Sequence, residues 1–253
     1  MEYAIETHGL TKAYDHLTAV DTLHLRVERG SFYGFLGPNG AGKSTTIRML
    51  TGITAPTHGE ARLLGYDLRR SPLKIKRRIG VVPEEICLFE NLTAREYLTF
   101  VGRMYRLPRS VAMRRGDELL GLLGLDTTDR TLVIEHSHGM KKKLSLAAAL
   151  IHDPDLLFLD EPFEGIDAIT SRTIRAVLDR IIERGATIFL TSHILEIVER
   201  LCTHVGIIHE GRVVQQGLLS EMAGGGRLED AFVTAVGQPL DSAVELSWLG
   251  GRR

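Results

Sequence analysis

The run Gly37-Pro38-Asn39-Gly40-Ala41-Gly42-Lys43-Ser44-Thr45 constrains this chain more than any other feature. It fulfils the spacing GxxxxGK[ST] directly after the apolar run Phe32-Tyr33-Gly34-Phe35-Leu36 and directly before Thr45 to Leu50, which reads as a helix start. Strand, glycine-rich loop and helix in that order make a phosphate cradle. The glycines let the backbone wrap so that successive N–H groups point inward, and the helix N-terminus adds partial positive charge. Lys43 then reaches the terminal phosphates and Ser44 can ligate Mg²⁺. The ligand implied is a nucleoside triphosphate.

Hydrophobic periodicity places this loop in an α/β chain. Leu23, Leu25 and Val27 alternate as in a strand, Ala61 to Leu64 predicts another short strand, and Ile79 to Val82 reads as a buried strand stopped by Pro83. From about Glu84 to Ile151 the pattern turns helical, through Leu92 to Leu98, Val111 to Leu123, and a face formed by Met140, Leu144, Ala147, Ala148 and Ile151. Strands and helices then alternate again: Leu156 to Leu159, Ser171 to Arg184, Ala186 to Leu190, Leu195 to Leu201, and a hairpin over Gly206 to Val214. The expectation is a largely parallel sheet with a helical block, about 84–151, inserted between two halves of one core. Residues 224–253, opening Gly-Gly-Gly, read as a short appendage.

Composition removes several function classes. Hydrophobic residues make up 43% of the 253, enough for a sizeable core, and 31 basic against 32 acidic residues leave a net charge of -1. That balance gives no global attraction to nucleic acid or to an anionic membrane surface. No apolar run approaches the roughly 18 to 20 residues of a spanning helix, and the start lacks a signal-peptide pattern, so the chain is not expected to cross a membrane by itself. Cys87 and Cys202 lie far apart without a CxxC pair, which points to packing residues in a reducing compartment.

A second chemical signal is Leu156-Leu157-Phe158-Leu159-Asp160-Glu161, an apolar strand delivering two carboxylates to its C-terminal end, where ligands sit in open α/β sheets. Asp160 suits a direct or indirect hold on Mg²⁺. Glu161, pointing the other way, suits polarising a water for attack on a γ-phosphate.

With these two motifs in place the chain resembles the ATP-binding cassette (ABC) ATPases over roughly residues 1 to 220, and the resemblance implies roles for further residues. Tyr14 matches the aromatic that stacks on adenine. Glu84 stands where the family has a glutamine that contacts Mg²⁺ and couples to the membrane partner; the carboxylate keeps an oxygen there and adds a charge. Ser137 and Gly139 match two positions of the Leu-Ser-Gly-Gly-Gln signature, while His136, His138 and Met140 replace the others. Gly165-Ile166-Asp167 matches the loop after the acids, with Glu164 where serine is usual, and His193 matches the switch histidine at the γ-phosphate. Ser137 would also serve as an ordinary helix N-cap. His136 and His138 have no spaced third ligand for a metal, and Lys141-Lys142-Lys143 reads as a solvated face.

The resemblance implies a P-loop ABC-type core over residues 1–223, with an N-terminal antiparallel β portion and the inserted helical subdomain. It implies an ATPase using ATP and Mg²⁺, acting as a head-to-tail dimer with a second copy or a homologous subunit. In that dimer each nucleotide lies between the Lys43 loop of one copy and the Ser137 to Gly139 segment of the other. The chain would sit in the cytoplasm on the inner face of the membrane, driving a separate permease that docks on the helical block. The Ser-His-Gly-Met variant and the absence of a long C-terminal regulatory domain resemble bacterial exporters. An alternative is a soluble cassette ATPase acting on nucleic acid or in translation. No long heptad insertion, second cassette, zinc-finger spacing or basic excess supports it, and no nucleic acid is expected as partner. A catalytically silent regulatory cassette is a third reading, opposed by the presence of both Lys43 and Glu161.

Overall fold

The structure is a computed structural model and describes residues 3–125, 130–222 and 227–237. In chain order the first half holds β1 (Tyr3–Tyr14), β2 (Leu17–Leu23), β3 (Arg26–Glu28), β4 (Phe32–Leu36), α1 (Lys43–Leu50), β5 (His58–Leu63), β6 (Tyr66–Asp67), α2 (Pro72–Lys76) and β7 (Ile79–Val82). Then come α3 (Ala94–Met104), α4 (Arg109–Leu122) and α5 (His138–Leu150). The chain returns to the sheet through β8 (Leu156–Asp160), α6 (Ala168–Glu183), β9 (Thr187–Ser192), α7 (Leu195–Leu201), β10 (His204–His209) and β11 (Arg212–Leu218), and α8 (Leu219–Met222) and α9 (Leu228–Val236) follow.

The strands form two sheets. One runs β11-β10-β4-β9-β8-β7, parallel throughout except for the β10–β11 hairpin; the other is antiparallel, β2-β1-β5-β6, with β3 also paired to β1. Every residue of β4, β8 and β9 is buried, the condition of parallel strands covered on both faces. Their side chains divide between two cores by alternation. Phe32, Leu36, Leu157, Leu159, Ile188 and Leu190 join the helices, whereas Tyr33, Phe35, Leu156, Phe158 and Phe189 join α1 and the antiparallel sheet. Phe189 centres the second core, stacked on Tyr33 at 5.6 Å and tilted against Phe35 and Phe158.

The helices α3, α4 and α5 lie between β7 and its parallel neighbour β8 in sequence. Thr93 caps α3 through a reciprocal bond pair with Glu96. The α5 helix packs on β7 through Gly80, where an added Cβ would come within 2.3 Å of the Ala149 carbonyl oxygen.

Three expectations change. Strand structure begins ahead of the Leu23 to Val27 alternation: β1, of 12 residues, ends on Tyr14, and its bulged register and mixed burial hide the alternation that marks a strand. Within the segment expected as an appendage, the described residues form α9, whose fully buried Leu228 joins the main core and whose first N–H donates to the Glu199 carboxylate at 2.8 Å. The rest of that segment lies outside the described residues. Finally, Lys142 is not on a solvated face, because α5 turns it inward to 3% exposure.

The Gly80 contact yields a test of how the helices are anchored. Gly80→Ala should cost about 1–3 kcal/mol through overpacking against the α5 backbone. Gly121→Ala, where the new methyl meets nothing within 4 Å, should be neutral or stabilising by about 0.5–1 kcal/mol. Urea unfolding of the two variants against the parent measures both.

Candidate functional site

The parallel register brings three strand ends to one level. Leu36 pairs with Ser192, and Asp160 with Thr191, so the loop after β4, the acids ending β8 and the residues after β9 emerge side by side. A cavity of ≈ 640 Å³ opens there, walled by Asn39, Gly40, Gly42, Lys43, Ser44 and Thr45 from the loop, by Glu84, Glu161, Glu164 and His193, and by Leu17, Thr18, Ala19, Glu210 and Gly211 from beside the antiparallel sheet.

The loop's shape is fixed by its glycines. Gly42 has φ +105, and a Cβ on it would lie 2.5 Å from the Ala19 carbonyl; one on Gly37 would lie 2.4 Å from that of Ile208. Ala41, buried, holds the loop to the neighbouring hairpin by accepting the Gly211 N–H at 3.0 Å. Gly42 caps α1 without any side-chain bond, which leaves the first N–H groups of the helix for an anion. Lys43 is buried at 7% exposure. Its ammonium donates to the carbonyls of Gly37 at 2.8 Å and Pro38 at 3.2 Å, and lies 3.6 Å from Glu161 Oε1.

Asp160 and Glu161 take different partners, as two adjacent residues at a strand end must. The Asp160 carboxylate accepts from the Thr191 hydroxyl at 2.6 Å and faces Ser44 Oγ at 3.3 Å, while burial pushes its carboxyl above the usual carboxylate range. Glu161 lies between Lys43 and His193, whose Nδ1 is 3.2 Å from Oε2. Its backbone is left-handed, φ +47, and its N–H donates to Thr191 Oγ1 at 3.1 Å. Thr191 therefore ties the two acids together, a role the motif reading missed because the Thr-Ser-His run was read for its histidine alone.

Ser44 also faces Glu84 Oε2 at 3.3 Å. One hydroxyl proton cannot serve both carboxylates at once, so Ser44, Glu84 and Asp160 form an oxygen set that a hard divalent cation would satisfy. Among the described residues no cluster of three His, Cys, Asp or Glu could hold a metal, and the third donor in this set is the hydroxyl.

Several expected site residues stand away from the cavity. Tyr14 is half exposed, with the Lys12 ammonium 4.8 Å from its ring centroid, and the neighbouring Leu17 supplies the wall instead. Ser137 caps α5, accepting from the Met140 N–H at 3.2 Å. A Cβ on Gly139 would meet Thr170 and Asp167, and Asp167 itself caps α6, its carboxyl held below the usual range chiefly by hydrogen bonds from Thr170. The sequence reading also passed over Lys142, whose Nζ donates to the Glu161 carbonyl at 3.0 Å. Glu210, beside the cavity with φ +47, carried no signal at all.

This geometry has known counterparts. The family model described as "ABC transporter" matches residues 20–164. The bacitracin transport ATP-binding protein BcrA of Bacillus licheniformis is 43% identical over 85% of this chain and 70% of its own length. The Nod factor export ATP-binding protein I of Paraburkholderia xenovorans is 41% identical over 87% and 73%. Among solved structures, an ATP-binding subunit of an ABC transporter superposes with a TM-score of 0.85 at 31% identity, over 92% of this chain and 99% of that one. With a family model across more than half of its residues and close relatives over most of its length, the chain belongs to the ABC transporter family, as an ATP-binding and ATP-hydrolysing cassette.

Proposed function

We propose that this cassette hydrolyses MgATP as a head-to-tail dimer and drives an exporter whose membrane-spanning permease is a separate chain. The observation that carries the reading is the meeting of Lys43, Ser44, Glu84, Glu161 and His193 at one cavity beside the phosphate loop, with Asp160 reaching Ser44 from behind it. The loop N–H groups and Lys43 bind the β- and γ-phosphates, the Leu17 to Ala19 wall lies open to the base, and Tyr14, outside the cavity beside Leu17, would stack on a base that extends past that wall. Ser44, Asp160 and Glu84 would hold Mg²⁺, which neutralises charge on the phosphate oxygens. Glu161 takes a proton from the attacking water as the water oxygen bonds to the γ-phosphorus; the bond from that phosphorus to the β,γ-bridging oxygen breaks, ADP leaves with that oxygen and inorganic phosphate is released, while His193 orients the Glu161 carboxylate.

Ser137, Gly139 and Asp167 do not line the cavity of their own chain, which favours their contact with nucleotide held by a second copy or a homologous subunit. For the permease, an apolar groove of ≈ 330 Å³ beside α3, lined by Pro83, Leu88, Tyr97 and Val101, has exposed Phe89, Phe100 and Met104 at hand. We read residues 1–223 as the cassette and about 84–151 as its helical subdomain. Relatives named for bacitracin transport and Nod factor export support outward transport. Among the described residues no helix is long and apolar enough to cross a membrane, and peripheral attachment to the cytoplasmic face through the permease fits that.

Lys43→Ala should weaken ATP binding at least about tenfold, since a phosphate cluster loses a charge-assisted donor. Equilibrium titration with a fluorescent ATP analogue measures it, and parental affinity would sink the assignment.

Glu161→Gln should keep ATP binding while hydrolysis falls about a hundredfold or more. The variant should accumulate as a dimer with MgATP on size-exclusion chromatography. Undiminished turnover would remove Glu161 from the chemistry.

A mixture of Lys43→Ala and Ser137→Arg subunits tests the shared site, since one of the two sites in the mixed dimer is complete on both sides and neither homodimer has one. Part of the ATPase rate should return on mixing two inactive variants. Full activity of Ser137→Arg alone would mean that the partner's signature segment is not needed.

A further inference from the structure

Lys142 lies on α5 five residues beyond its Ser137 cap and is buried at 3% exposure. Its ammonium donates to the Glu161 carbonyl at 3.0 Å, across from the Thr191 hydroxyl that accepts the Glu161 N–H at 3.1 Å. The peptide units on both sides of Glu161 are thus pinned, one by the sheet and one by the helix. That matters because Glu161 holds φ +47, a region non-glycine residues rarely adopt, and from this backbone its carboxylate reaches both Lys43 and His193. The carbonyl also accepts the Glu164 N–H at 3.3 Å, which leaves the turn after the acids dependent on the same oxygen.

The surroundings of the ammonium are acidic. Burial holds Lys142 below the ordinary lysine value, while Glu164, Glu161, Glu84 and Asp160, in that order, favour its charged form.

We propose that Lys142 is a positioning residue for hydrolysis: its hydrogen bond fixes the backbone that aims Glu161. The proposal rests on the reading of Glu161 as the group that activates water. It makes α5 a direct mechanical link between the signature cap at Ser137 and the hydrolytic centre.

The test uses the full chain with MgATP. Lys142→Met keeps the stem and removes the ammonium; it should lower kcat about tenfold or more while the KM for ATP stays within about twofold. Lys142→Gln, which retains a donor and loses the charge, should fall between, and it serves in place of the methionine variant if that fails to fold. A residue that only filled space would leave Lys142→Gln no better than Lys142→Met, whereas a donor to the Glu161 carbonyl is partly replaced by the amide. Parental kcat in Lys142→Met, or a Lys142→Gln loss no smaller than the methionine loss, overturns the proposal. Glu161→Gln run alongside separates the two levels: undiminished turnover there overturns the reading beneath, whereas an inactive Glu161→Gln with an unaffected Lys142→Met removes Lys142 alone.

Discussion

The parallel pairing of β4, β9 and β8 is the constraint on which the site depends. One register sets Leu36 beside Ser192 and Thr191 beside Asp160, so that a loop, two acids and a histidine far apart in sequence leave the sheet at a common edge. Thr191 shows how tight that requirement is. Its hydroxyl donates to Asp160 at 2.6 Å and accepts from the Glu161 N–H at 3.1 Å, and a slip of one residue would turn it to the opposite face. The buried, unbroken apolar strands make such a slip costly, because Ile188, Phe189 and Leu190 would exchange cores with it.

What the register assembles is an electrostatic problem. Asp160 and Glu161 are both almost fully buried, and Glu84 and Glu164 stand at the cavity beside them. Burial raises the Asp160 carboxyl, and the neighbouring Glu84 charge raises it further, against the hydrogen bonds from Thr191 and Ser44 that favour its ionised form. Lys43 and Lys142 offset part of this charge from inside the chain. A divalent cation with a triphosphate would complete the balance by placing positive charge at the oxygen set and negative charge at the loop and Lys43. The affinity for nucleotide and the discomfort of the bare carboxylates are thus two aspects of the same arrangement.

How much of this could be read from the sequence follows from which interactions are local. The phosphate loop was legible because its function is carried by backbone, and glycine spacing specifies backbone directly. Asp160 and Glu161 were legible because an apolar run ends on them. Lys142 was not, since three consecutive lysines on a helix point in directions about 100° apart and only tertiary packing decides which is turned inward. Lys141 instead reaches outward to Glu90 at 2.7 Å. The long β1 and the core-packed α9 escaped for a similar reason: bulges blur one pattern, and nine residues give too few turns to separate a docked helix from a tail.

The α5 helix joins these separate facts into one device. Its 13 residues, about 20 Å long, begin at Ser137, turn Lys142 onto Glu161, and end against β7, where Gly80 admits the Ala149 carbonyl. The near-contact at Gly80 fixes the depth of the helix on the sheet, and the Lys142 bond fixes its rotation. A helix held at two points cannot turn at its N-terminal cap without straining one of them. The point nearer the cap is the carbonyl of Glu161, a left-handed residue, so strain there bears on the backbone that carries its carboxylate. In the positioning role proposed for Lys142, that hydrogen bond is the route by which a change at the cap would reach the carboxylate.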